Sequence, residues 1–145
     1  MTIAFGPRRA THVEIDETFG PGEAPLSAVE LAQFETLDLV YRALCALLYN
    51  YVPTSGHPGG SISSGRFVEG ILYDALDYDV GDPDRADADL ISYAAGHKAM
   101  GLYAMWALRD EVAAVGAPGL LPGDDVKRLR LEDLLGFRRN PITAT

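Results

Sequence analysis

The sequence is poor in cysteine, in positive charge and in long apolar runs, and each shortage excludes something. A single cysteine, Cys45, rules out an internal disulfide. It lies in an apolar stretch and reads as a small buried hydrophobe. Only 12 Lys and Arg stand against 21 Asp and Glu, for a formal net charge of −9. A chain so acidic lacks the basic face needed to grip a nucleic-acid backbone or an anionic membrane surface. No apolar run approaches the length that crosses a bilayer. Residues Met1 to Ala10 have no apolar core like that of a signal peptide, so the expected location is the cytoplasm. Internal repeats and low-complexity tracts are also missing.

What remains suits a globular chain. Of 145 residues, 48% are hydrophobic and 23% charged, enough for one domain with a real core. Residues 1–26 carry Gly6, Pro7, Gly20, Pro21, Gly22 and Pro25 without a sustained period, and read as an irregular N-terminal arm. Residues 27–145 read as the body. Ser27-Ala28-Val29-Glu30 fits a capping box. Apolar residues then recur at Leu31, Phe34, Leu37, Val40, Tyr41, Leu44 and Leu48, the stripe of a helix seam. Gln33, Glu35, Asp38 and Arg42 fall on the other face. From Leu47 to Tyr51 the helix is apolar on most sides, which predicts deep burial, and Pro53 ends it.

The densest stretch is Ser55-Gly56-His57-Pro58-Gly59-Gly60-Ser61-Ile62-Ser63-Ser64-Gly65, with four glycines and four serines in eleven residues. Its composition is that of a loop between helices. Glycines let backbone approach a ligand closely, and His57 is the one side chain here able to exchange a proton near neutral pH. The apolar pattern that follows places the last amides of the run near a helix N-terminus, where anions bind. A nucleotide P-loop does not fit: Arg66 and Phe67 occupy the places of the required Lys and Ser/Thr.

Phe67, Val68, Ile71, Leu72, Ala75 and Leu76 predict a second helix. Asp77, Asp79, Asp82, Asp84, Asp87 and Asp89 then form an acidic loop. Counted from Asp77, the fifth position of a calcium-binding loop is Gly81 and no closing Glu follows, so the loop reads as solvated. Leu90 to Tyr93 is a short strand-like run. Ala95-Gly96-His97 leads from it into an apolar helix with Met100, Tyr103, Ala104, Ala107 and Leu108. A histidine at such a strand-to-helix turn stands where ligand-binding groups often sit in α/β folds, although a capping or core role fits its spacing equally well. Gly116 to Gly123 reads as a loop. Asp124 or Asp125 would cap a last helix through Val126, Leu129, Leu131, Leu134 and Leu135, with Phe137 at its end.

Ser55-Gly56-His57-Pro58-Gly59 resembles the beginning of a transketolase, a thiamine-diphosphate enzyme. The capped helix before it, the helix after it, the Asp-Pro-Asp loop and the turn Ala95-Gly96-His97 follow in the family's order. The segment Leu131-Glu132-Asp133-Leu134-Leu135-Gly136-Phe137-Arg138 is similar to its family counterpart, and the resemblance runs from about Ser27 to Arg139. It implies an α/β fold: a mostly helical, partial thiamine-diphosphate-binding domain with one short strand, Leu90 to Tyr93. It implies that His57 lines the active-site channel as a catalytic and substrate-binding residue, and that His97 binds the diphosphate of the cofactor.

The sequence departs from the family at Asp84 to Leu90, at Ala94-Ala95 before Gly96, and at Lys98. It also stops short of the Gly-Asp-Gly motif that holds magnesium, and of the catalytic glutamate. The resemblance therefore places no metal ligand here. It implies an N-terminal subunit or fragment of a transferase that moves a two-carbon ketol unit between sugar phosphates, completed by another chain that supplies those groups. Thiamine diphosphate and magnesium are the implied cofactors. Two alternatives stand beside this: a piece of an enzyme like the pyruvate dehydrogenase first component or deoxyxylulose-phosphate synthase, and a non-catalytic interaction or regulatory module on the same fold.

Overall fold

The computed structural model describes residues 2–5, 10–13, 26–52 and 56–138, and the chain divides into two compact units, Met1–Leu31 and Ala32–Thr145. In the first unit, strands β1 (Thr2–Phe5) and β2 (Ala10–Val13) pair antiparallel, with Thr2 opposite Val13 and Phe5 opposite Ala10. The arm expected to be irregular thus holds a hairpin; the remainder of that expectation lies outside the described residues. Helix α1 (Ala28–Tyr51) begins in this unit. Its start is the expected capping box. The Ser27 N–H donates to Glu30 Oε2 at 2.8 Å, and the Glu30 N–H donates to Ser27 Oγ at 3.2 Å. Hydrogen bonding from Ser27, through its side chain first and then its backbone N–H, holds the exposed Glu30 carboxyl below its usual range.

The second unit is helical. Helix α2 (Pro58–Gly70) runs straight into a π-helical turn, Ile71–Ala75, and helix α3 (Ala99–Gly116) and the short α4 (Leu131–Leu134) follow. The core joins Tyr41, Cys45, Leu48, Tyr49 and Val52 to Val68 and Leu72, to Met100, Ala104, Met105 and Leu108, and to Leu134. Cys45 is buried there, as its apolar setting implied, and burial pushes its thiol up. Tyrosine hydroxyls stitch the elements. Tyr73 donates to the Met105 carbonyl at 3.2 Å, and Tyr78 to the Leu72 carbonyl at 2.7 Å. No helix among the described residues is long and apolar enough to cross a membrane.

Four expectations are corrected. Leu90 to Tyr93 forms no strand, and Leu90 is 94% exposed. A strand needs a ladder partner, and no described segment offers one. The α/β reading accordingly narrows to a mostly helical chain. The glycine-rich run is helix from Pro58 onward rather than loop. Proline suits the first helical position, where its missing N–H costs nothing. The small side chains behind it let α2 lie close to its neighbours.

The α1 stripe is the expected one only in part: Tyr41 and Leu48 are buried, and Leu37 and Leu44 pack against the core. Leu31 and Val40 are exposed, while Asp38 is buried, because its Oδ2 accepts from Arg42 Nε at 2.8 Å and from Arg66 Nε at 3.0 Å. Leu47 and Tyr51 are exposed too, so the end of α1 is apolar on a face that nothing described here covers. Finally, the expected last helix is split. Asp124 caps only a 3₁₀ turn, Asp125–Lys127, by accepting from the Val126 N–H. The buried Asp110 draws off the Leu129 N–H at 3.2 Å, and Asp133 restarts the helix by accepting from the Arg130 N–H at 2.9 Å.

Candidate functional site

Gly56 to Gly60 and Gly96 to Lys98 are separated by some forty residues of sequence, and the fold brings them together. Gly56 has φ of +98°, a conformation open mainly to glycine. A Cβ there would stand 3.3 Å from the carbonyl oxygen of His97. One turn into α2, a Cβ on Gly60 would meet the Lys98 side chain, with Cε at 2.8 Å. Just beyond, the Ser61 hydroxyl donates to the Lys98 carbonyl at 3.3 Å and also bonds the Tyr49 hydroxyl. Two glycines and one serine thus carry the contact between the segments.

His57 is the N-cap residue of α2, in extended conformation, with no side-chain cap bond. Its imidazole is exposed at the end of the helix that presents free N–H groups. His97 lies in the 3₁₀ turn Gly96–Lys98 and is likewise exposed, so it is not a core histidine. Lys98 is half-buried, its alkyl chain laid along Gly60. A residue that sequence reasoning passed over also arrives here: Arg138 reaches the Gly96 carbonyl through Nη2 at 3.5 Å. The available signal was the Arg138-Arg139 pair after Phe137. Ser55, at the head of the motif, lies outside the described residues.

The chemistry of this surface is of one kind. Imidazoles, an ammonium, a guanidinium and the first amides of a 13-residue helix are all suited to an anion. The acidic loop stands apart from it in character. Arg85 pairs with Asp77 at 2.8 Å and with Asp87 at 3.1 Å, and Lys127 pairs with Asp84. Asp79 and Asp89 accept from the Gly81 and Asp77 amides. The loop is thus tied up internally and to the 3₁₀ turn Asp125–Lys127. No group of three His, Cys, Asp or Glu side chains among the described residues could hold a metal ion. No family model, curated protein or solved structure matches the chain.

Proposed function

We propose that this chain is an N-terminal subunit or piece of a transketolase-like enzyme that transfers a two-carbon ketol unit between sugar phosphates. One observation carries the reading. The two segments that resemble the family, Ser55-Gly56-His57-Pro58-Gly59 and Ala95-Gly96-His97, come together where Gly56 lies against the His97 carbonyl, and just past them Gly60 lies against Lys98, a residue that departs from the family. The residues there fit a diphosphate. His97, Lys98 and the first amides of α2 would hold its oxygens, and His57 would stand beside the substrate to move a proton. Thiamine diphosphate would supply the electron sink for carbon–carbon bond cleavage, which no side chain provides.

The magnesium ligands and the catalytic glutamate belong, in this reading, to another chain. The outer face of α1 supports such a partner. Leu39, Val40, Leu47 and Tyr51 are exposed on it, and so is Phe67 of α2. Exposed apolar residues gathered on one side of a helix are typical of an interface.

Native mass spectrometry of the protein purified from its own cells, with thiamine diphosphate and magnesium present, tests the assembly. A heteromer that retains the cofactor is expected; a lone, cofactor-free chain would overturn the proposal. In the reconstituted assembly, His57→Ala should lower ketol transfer by about 10²–10⁴-fold, the usual range for a general acid or base. His97→Ala should weaken cofactor retention more than it alters transfer at saturating cofactor. If both variants keep partner binding and a measured wild-type rate, the chain is an interaction module.

A further inference from the structure

Glu69 lies on α2 and is 2% exposed, and its Oε1 has no hydrogen-bond partner among the described residues. A buried carboxylate left in that state is costly, whereas a protonated carboxyl is far less so. The groups around it do little to relieve the charge. From α1 comes Asp38, 4% exposed, with its own Oδ1 unpartnered. Its Oδ2 takes both Arg42 and Arg66. Arg66, the cation on the same helix as Glu69, is therefore committed to Asp38. Tyr73 stands one turn further along. Past it, on α3, Arg109 pairs with Asp110 at 2.8 Å and is engaged as well. Two carboxyls thus share the seam between α1 and α2, and the nearby arginines close on only one of them. Burial, and then the negative charge of Asp38, raise the Glu69 carboxyl to about 7, with Arg66 opposing the rise.

We propose that Glu69 carries its proton when α2 is docked on α1, and that loss of this proton loosens the seam, making it a pH-sensitive joint. The inference does not depend on the enzyme reading. Its consequence bears on the same surface, because the other end of α2 holds Pro58 to Gly60 against the Gly96–Lys98 turn.

The sign follows from linkage. The carboxyl is raised in the folded chain, so its favourable contribution is fully present below pH 4.5 and is lost as pH rises through about 7. Between pH 4.5 and about 7 the opening equilibrium of α2 should grow by up to about tenfold per pH unit, the limit for one proton, and it should level off above 7. Two measurements on the full chain test this. The first is the side-chain carboxyl titration of Glu69 by carbon NMR, its signal identified by its absence in Glu69→Gln. The second is amide hydrogen exchange of α2 from about pH 4.5 to about 8.5, corrected for intrinsic rates, with α3 as the internal reference.

A midpoint near 7, with α2 loosening relative to α3 as pH rises from 4.5 to about 7 and levelling off above it, and a flat response in Glu69→Gln, is the expected result. A midpoint near 4.5, or the same pH response in Glu69→Gln as in the wild type, overturns the proposal. Should Glu69→Gln fail to fold, Asp38→Asn decides. It removes the opposing negative charge and frees Arg66, so the midpoint of Glu69 should fall; an unmoved midpoint sinks the joint.

Discussion

Two stretches of this chain are equally rich in glycine and have opposite fates. Pro58 to Gly65 and Gly116 to Gly123 each hold three glycines in eight residues, with one proline in the first and two in the second. The first is helix along its whole length; the second runs from the last residue of α3 into an exposed loop holding one 3₁₀ turn, Pro118–Leu120. The difference lies in what surrounds them. A Cβ on Gly65 would come within 2.5 Å of the Tyr41 ring, and one on Gly60 within 2.8 Å of Lys98. A Cβ on Gly116, Gly119 or Gly123 would meet nothing within 4 Å. Gly60 and Gly65 in the first stretch let neighbouring segments come close; the glycines of the second only add freedom to the unfolded chain. Intrinsic propensity disfavours glycine in a helix by about 1 kcal/mol per residue relative to alanine. Close packing outweighs that in one place and is not there to do so in the other.

The contrast can be broken from either side. The largest effect should come from Gly65→Ala and from Gly101→Ala. The added methyl of Gly101→Ala would stand 2.5 Å from Ser61 and 2.7 Å from the Tyr41 hydroxyl. Each should destabilise by about 1–3 kcal/mol or more, as overpacking does, and chemical denaturation reads the loss directly. Gly56→Ala comes next. It forces a side chain into a left-handed conformation against the His97 carbonyl, at a cost of about 1–2 kcal/mol. If the proposed function holds, it should also weaken cofactor retention by the assembly, which a purely structural defect at Gly65 would do only in proportion to unfolding.

The smallest effect should be Gly119→Ala, in the loop. With no contact to break and no positive φ, it should stabilise by about 0.4–1 kcal/mol through the unfolded state. A thermal melt that moved down instead would mean the loop is less free than its exposure suggests.

The same contrast explains what could be read from the residues alone. Signals confined to one turn came through. The Ser27/Glu30 box needs only its own helix, and the apolar run of α3 is buried whichever neighbour it meets. Signals that depend on a distant partner did not. Asp38 looked like a surface residue, because the arginine that completes its charge pairing, Arg66, is 28 positions away. The break before α4 depends on Asp110 reaching Leu129 across the fold. Leu90 to Tyr93 has the composition of a strand and no ladder to join. As for the candidate site, its two histidines stood out by motif. That their segments would touch through Gly56 and Gly60 could not be seen without the fold, nor could the arrival of Arg138.

Tyr41 has a consequence for the history of the chain. Its ring lies against Gly65, its hydroxyl donates to the Ser61 carbonyl at 3.1 Å, and the same oxygen leaves no space for a side chain at Gly101. One α1 side chain therefore occupies volume that α2 and α3 must both leave empty. Positions 41, 61, 65 and 101 cannot drift independently. A lineage that enlarged residue 65 or 101 would first have to shrink residue 41, and the intermediate with both large would not pack. Among descendants of this sequence, those four positions should change as a set, even where everything exposed around them has diverged.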